Sequence, residues 1–206
     1  MAAIIFDFDG TIADSFDFVA NFLADEADGK TLSEAQKQAL RGRSMFAMAR
    51  QLGHARWRLM RLLFKGRKRM NEAIGQIKPF AGMADVIEKL HSEGHELFIL
   101  SSNSVPNVRS FLHEHGLHMY FLEIYGGIGL FGKAPALRKL LREHNLEKEN
   151  AIYVGDEVRD VQAAQAVKLR VVAVSWGFAR LAGLEARKPT ALAKDSADLM
   201  KILEEL

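Results

Sequence analysis

The 206-residue sequence predicts an α/β protein: a doubly wound parallel sheet with helices on both faces and a small all-helical cap inserted after strand 1. Three observations carry that prediction. From Phe80 onward, short apolar runs alternate with segments of helical periodicity, the pattern of right-handed βαβ crossovers. A first apolar run, Ala3 to Phe8, stands well ahead of that alternation. Between the two, residues 15–78 carry helical signals and no strand signal.

The elements follow in order. Ala3 to Phe8 reads as the first strand. In the insertion, Phe16, Val19, Leu23 and Ala27 share one helical face, and Ser33-Glu34-Ala35-Gln36 has the form of a capping box. Met45, Met48, Ala49 and Leu52 mark a third helix; Trp57, Met60 and Phe64 mark the apolar face of a fourth. Met83 to Glu93 places Val86, Ile87 and Leu90 at helical spacing and stops at Gly94. Leu97 to Leu100 is a continuous apolar run, as a strand buried on both faces requires. Pro106 stands in the first turn of a helix that begins after Ser104 and ends before Gly116. A weaker strand spans Phe121 to Tyr125, followed by a helix from about Ala134 to His144. Strands at Ala151 to Val154 and Arg170 to Val174 flank a helix at Val158 to Ala166, and Ala197 to Leu206 closes the chain as a helix. The predicted division is a core of residues 1–14 plus 79–206 and a cap of residues 15–78.

Composition sets limits. The chain is 49% apolar and carries 28 basic against 26 acidic side chains, a formal net charge of +2. A chain of this length buries roughly 70% of its unfolded surface, enough for a core without staples. Cysteine is absent, which excludes disulfides and thiolate zinc sites. No run approaches the roughly 20 apolar residues of a membrane span. The opening MAAIIFDFDG lacks a basic region before its apolar stretch, so no signal peptide is predicted and a cytoplasmic place is expected. The charge is unevenly spread: residues 15–78 hold thirteen Lys or Arg against six Asp or Glu, and the remainder is acidic.

In doubly wound sheets, ligands sit beyond the carboxyl ends of the strands. Strand one ends in Asp7-Phe8-Asp9-Gly10, the second in Ser101-Ser102-Asn103 and the fourth in Gly155-Asp156-Glu157, while the loop after the third carries Gly132-Lys133. Asp7 and Asp9, two residues apart at a strand end, are expected to point to the same side. Carboxylates, hydroxyls and a lysine therefore converge on one edge.

With those residues in place, the chain resembles the haloacid dehalogenase-like (HAD) superfamily, in its phosphoglycolate-phosphatase and β-phosphoglucomutase-like branch, whose core is a Rossmann-like sheet. Four motifs in order carry the resemblance: Asp7-Phe8-Asp9-Gly10-Thr11, the Ser101 region, Lys133, and Gly155-Asp156-Glu157-Val158-Arg159-Asp160. The resemblance implies a Mg²⁺-dependent phosphatase acting on a small phosphorylated metabolite. Asp7 would be the nucleophile that forms an aspartyl-phosphate. Asp9 would be general acid, then base. The Asp7 carboxylate, the Asp9 backbone carbonyl and the Asp156 carboxylate would hold Mg²⁺. Asp160 would hold metal waters or orient Lys133, and Glu157 would assist the metal or simply open a helix. Ser101 would bind a phosphoryl oxygen, aided by the Ser102 N–H, with Ser102 the alternative hydroxyl. Lys133 would offset developing charge. Asp9, Asp156 and Asp160 together disfavour carbon–halogen cleavage. Phosphonate cleavage would need a cap lysine, and Lys30, Lys37, Lys65 and Lys68 are available without one being singled out.

The cap is basic in one stretch. From Ala35 to Asn71 it has eleven basic residues and no acidic one. Arg58, Arg61, Lys65 and Lys68 follow helical spacing on one face, opposite Trp57, Met60 and Phe64. The leading expectation is a solvated basic face backed by a packed apolar one. The alternatives are recognition of a second acidic group on the substrate and contact with nucleic acid or an anionic membrane. Five histidines between His91 and His118 are expected to be ordinary surface residues. Trp176-Gly177-Phe178 either packs beneath the site or touches substrate. A phosphomutase, or a catalytically quiet protein binding an anionic partner through the cap, remain the alternative functions.

Overall fold

Six strands, β1 (Ala3–Phe6), β2 (Glu96–Leu100), β3 (Phe121–Tyr125), β4 (Ala151–Gly155), β5 (Arg170–Val174) and β6 (Ala191–Ala193), form one sheet. Its order is β3-β2-β1-β4-β5-β6, and every pairing is parallel. The structure, a computed structural model, describes residues 1–29, 31–43, 45–129 and 132–206, without the side chains of Asp28, Phe46, Arg56 and Leu63.

Strand alternation sorts the core into two layers. Ile4, Phe6, Leu97, Ile99, Ile152, Val154 and Val172 face α5 (Met83–Ser92), α6 (Val105–Glu114) and α10 (Ser196–Glu205). Ile5, Phe98, Leu100, Tyr153, Val171 and Ala173 face α7 (Lys133–Glu143) and α8 (Val158–Ala166). Strands β1 and β4 are buried along their whole length, which is why their sequences are unbroken apolar runs. β3 is an edge strand with Leu122 and Glu123 exposed, and its weaker apolar signal follows from that position. A short helix, α9 (Leu181–Glu185), and strand β6 have no counterpart in the sequence reading. Three residues, Ala-Leu-Ala, paired on one side only, offer too little periodicity to register.

Between β1 and α5 lie α1 (Phe16–Asp28), α2 (Glu34–Leu40), α3 (Met45–Gln51) and α4 (Leu59–Ala73). Ser33 and Gln36 form the expected reciprocal capping box at the start of α2. The chain leaves and re-enters the sheet layer at one place. Ala13 bridges Pro79, the Asp14 N–H donates to the Lys78 carbonyl at 2.9 Å, and the Phe80 N–H donates to the Ile12 carbonyl at 2.9 Å.

α4 departs from expectation. Trp57, Met60 and Phe64 are 73%, 72% and 76% exposed and form no packed face. The inward stripe is instead buried Leu62 and Met70 with half-buried Gly66 between them, at steps of four. A Cβ at Gly66 would stand 3.1 Å from the Phe22 ring of α1, so a glycine there lets the two helices approach. Met60 precedes Leu62 by two positions, about 200° round the helix. Two apolar stripes have helical spacing, and the one that admits the closer crossing is buried. Part of the basic charge is answered by α1 and by Glu34 of α2. Lys37 pairs with Asp17 (3.0 Å) and Glu34 (2.8 Å), Lys65 with Glu26 (2.7 Å) and Arg69 with Asp25 (3.3 Å). Arg61 and Lys68 are exposed and form no ion pair among the described residues.

Candidate functional site

Asp7 follows β1 directly, and its N–H still bonds the Val154 carbonyl of β4. The strand ends at Phe6, however, so alternation no longer governs Asp9, and the two carboxylates reach different partners. The Phe8 carbonyl accepts from the N–H groups of Thr11, Ile12 and Ala13, closing a tight turn over Asp9 and Gly10. Gly10 has φ 81°, a left-handed conformation that suits glycine.

Asp7 Oδ2 accepts from Lys133 Nζ at 2.5 Å, and Lys133 also donates to Asp160 Oδ1 and to the Tyr153 hydroxyl (3.2 Å). Lys133 is the first residue of α7 and is 3% exposed. Asp160 Oδ2 accepts the Glu157 N–H at 2.8 Å, fixing the carboxylate across the first turn of α8. The contact with Lys133 that its orienting role would need is present.

Asp156 is held on both oxygens. Thr11 Oγ1 donates to Oδ1 at 3.1 Å, and the Phe178 N–H donates to Oδ2 at 2.7 Å. A Cβ at Gly10 or at Gly177 would come within 2.3 Å of that carboxylate, so both glycines make room for it. Trp176 Nε1 donates to the Thr11 carbonyl at 3.2 Å. The Trp176-Gly177-Phe178 segment thus packs beneath the site, and Phe178 also borders the cleft.

Asp9 meets the start of α1 and the loop after β2. Ser15 Oγ donates to its Oδ1 at 2.8 Å and Asn103 Nδ2 to its Oδ2 at 3.0 Å. Asn103 Oδ1 accepts from the Ser104 N–H at 2.8 Å and from Asn107 Nδ2 at 2.9 Å, and Asn107 Nδ2 reaches the Arg67 carbonyl of α4 at 2.7 Å. Ser101 is fully buried, its hydroxyl accepting the Asn103 N–H at 2.9 Å, whereas Ser102 borders the cleft. Glu157 pairs with Arg159 at 3.0 Å and stands outside the carboxylate cluster.

Burial sets the electrostatics. It pushes the Asp7 carboxyl up to about 7, against the lowering pull of Lys133. Asp9 is raised by burial, with its bonds from Ser15 and Asn103 drawing it back. Burial and the charges of Glu157, Asp160 and Asp7 drive Asp156 well above the carboxylate range. Burial also works against Asp160, but Lys133 and Arg159 hold it below its ordinary value. Lys133, penalised by burial, is held above the usual lysine value by Asp160 and Asp7.

Oxygens of Asp7, Asp156 and Asp160 lie within 4.8 Å of one another. Three buried carboxylates converge around one lysine, and their hard oxygen donors, once ionised, suit a hard divalent cation. The residues present therefore fit a metal ion. No histidine joins this cluster among the described residues. His115 bonds the Ile77 carbonyl, and His113 stacks on His118. Lys30 lies outside the described residues, and Lys37, Lys65 and Lys68 do not border the cleft.

Thr11, Ser15, Asn103, Tyr153 and Arg159 were not given roles from sequence. Arg159 and Thr11 sit inside motifs that could have flagged them and Asn103 closes the Ser101 segment; Ser15 and Tyr153 act through carboxylates six and seven residues away.

A family model described as haloacid dehalogenase-like hydrolase matches residues 4–174. The phosphoglycolate phosphatase of Synechococcus elongatus is 36% identical over 209 residues, covering 100% of this chain and 99% of that protein. The phosphoglycolate phosphatase of Aliivibrio fischeri is 28% identical over 60% of this chain and 56% of its own length. A haloacid dehalogenase-like hydrolase from Streptococcus pneumoniae superposes with a TM-score of 0.80 over 98% of both chains at 22% identity, a likeness of fold. The match across the sheet and the end-to-end relative agree with the clustered aspartates, and the chain belongs to the haloacid dehalogenase-like hydrolase family.

Proposed function

We propose that the protein is a cytoplasmic, Mg²⁺-dependent phosphatase that hydrolyses a small phosphomonoester through an aspartyl-phosphate on Asp7, with 2-phosphoglycolate the first candidate substrate. The enzyme class, a phosphoric monoester hydrolase, follows from the family and the full-length relative. The observation that carries the mechanism is the division of labour between two neighbouring aspartates. Asp7 is tied to a buried lysine among further carboxylates; Asp9 is tied to neutral groups at the mouth of the cleft.

In this reading Asp7 attacks the phosphorus as the bond to the leaving oxygen breaks, and Asp9 gives that oxygen its proton. A raised Asp9 suits the donor role. Asp9 then takes a proton from water, which attacks the phosphorus and frees Asp7 with release of phosphate. Lys133 steadies the Asp7 carboxylate and offsets charge on the phosphoryl oxygens, and Ser101 with the Ser102 N–H seats those oxygens. Mg²⁺, held by the Asp7 and Asp156 carboxylates and the Asp9 carbonyl, would keep Asp7 ionised and neutralise the phosphoryl group. Residues 15–78 act as the cap that excludes water, over a core of residues 1–14 plus 79–206. The attachment of both ends at one point supports that division.

The test is hydrolysis of p-nitrophenyl phosphate with Mg²⁺ by the wild type and by Asp7→Asn. Loss of turnover with an unchanged melting profile is expected; undiminished turnover would refute the assignment.

A further inference from the structure

The cleft above Asp9 encloses about 190 Å³, and its wall is chiefly apolar, with Phe18, Val19, Leu23, Met45 and Met70 from the cap. The neutral polar side chains that interrupt this wall are already engaged. Asn103 gives its amide to Asp9 and its carbonyl to Asn107 and Ser104. Ser102 takes two arginines: Arg67 Nη2 donates to its carbonyl at 2.5 Å, and Arg159 Nη2 reaches its hydroxyl at 3.5 Å. Those arginines, one from the cap and one from α8, are the cationic side chains that border the cleft among the described residues. Arg159 has a fixed partner in Glu157. Arg67 does not: among the described residues its Nε is buried with no hydrogen-bond partner, and its guanidinium meets only a neutral carbonyl.

We propose that Arg67 is the specificity-determining residue of this cleft, binding a carboxylate on the leaving group of the phosphomonoester. The inference rests on the phosphatase reading above and deepens it. A guanidinium fork matches a carboxylate in two parallel hydrogen bonds, and Arg67 borders the cleft with no acidic partner among the described residues. The apolar wall lowers the local dielectric and strengthens the pairing. The same wall disfavours sugar phosphates, because their hydroxyls would lose water and find no replacement partners. The substrate class is therefore a short, carboxylated phosphomonoester with few hydroxyls.

The experiment compares 2-phosphoglycolate with ethyl phosphate, which carries a methyl group in place of the carboxylate, on the wild type, Arg67→Ala and Arg67→Lys. p-Nitrophenyl phosphate reports on the folded catalytic core. The wild type is expected to prefer phosphoglycolate in kcat/KM. Arg67→Ala is expected to raise KM for phosphoglycolate by roughly 10- to 100-fold, the scale of a lost charge-assisted hydrogen bond, and to leave ethyl phosphate within about twofold. Arg67→Lys, which keeps the charge without the fork, is expected to fall between. A wild type that turns over p-nitrophenyl phosphate yet does not favour the carboxylate overturns the inference and spares the phosphatase reading. So does an Arg67→Ala variant that weakens both substrates equally, or neither. A wild type inert on all three overturns the phosphatase reading itself.

Discussion

Asn103 Nδ2 lies 3.0 Å from Asp9 Oδ2, so a side chain on the loop after β2 aims the carboxylate assigned to leaving-group protonation. Asn103→Ala removes that aim without touching Asp7. Hydrolysis of an alkyl phosphate, whose leaving oxygen needs a proton, is expected to fall about 10- to 100-fold. p-Nitrophenyl phosphate, with a leaving group stable as an anion, is expected to fall much less. Equal losses on both would assign Asn103 to general structure instead.

Metal binding is expected to displace protons. Burial holds the Asp7 carboxyl near 7, so the metal-free protein carries that proton at pH 6 and lacks it well above 7. The raised Asp156 adds to the effect. A ligating carboxylate must be ionised, so Mg²⁺ affinity rises with pH and proton release falls. Calorimetry in buffers of different ionisation enthalpy, at pH 6 and pH 8.5, measures the release. An uptake that does not change with pH contradicts the assignment of Asp7 and Asp156 as ligands.

Gly177→Ala tests the support beneath Asp156. The added Cβ would meet Asp156 Oδ2 at 2.3 Å and the Gly10 carbonyl at 2.4 Å, and backbone cannot yield as a flexible side chain does. A loss of about 1–3 kcal/mol in stability is expected, the usual scale of overpacking, together with weaker Mg²⁺ activation. Denaturant unfolding and a Mg²⁺ titration of activity measure the two effects.

The cap has a stability contrast built into it. Trp57 is 73% exposed, so Trp57→Ser is expected to change stability by no more than about 0.5 kcal/mol. Met48 is fully buried, and Met48→Ala is expected to cost about 2–5 kcal/mol. Urea melts of the two variants compare them; a large loss for Trp57→Ser would mean that this face is packed after all.

What the sequence made legible follows the length and purity of its signals. The strand at Arg170–Val174 and the helix at Val158–Ala166 were readable to the residue, because one is a valine-rich apolar run and the other an uninterrupted periodic segment. β6 was not, since three alanine-rich residues at an edge look like loop. The motif aspartates were readable because Asp7, Asp9 and Asp156 follow strand ends and Asp160 stands one helical turn beyond. Asn103, Ser15 and Tyr153 were not, because their meaning lies in partners 6 to 94 residues away. α4 shows a different failure. Two apolar stripes compete there, and only the presence of Phe22 opposite Gly66 decides between them.

The junction of cap and core has a consequence for how the molecule can change. Ala13 and Pro79 are bridged, and Asp14 bonds Lys78, so the insertion's two ends stand side by side. The sheet closes its hydrogen bonds without help from residues 15–78. The proposed cap is thereby expected to behave as a cassette that can be exchanged between Asp14 and Pro79, provided its replacement also covers the cluster that Leu40, Met48, Leu62 and Met70 share with the sheet. Mutations that redirect ligand choice can accumulate in such a cassette while the phosphoryl-transfer edge keeps its register.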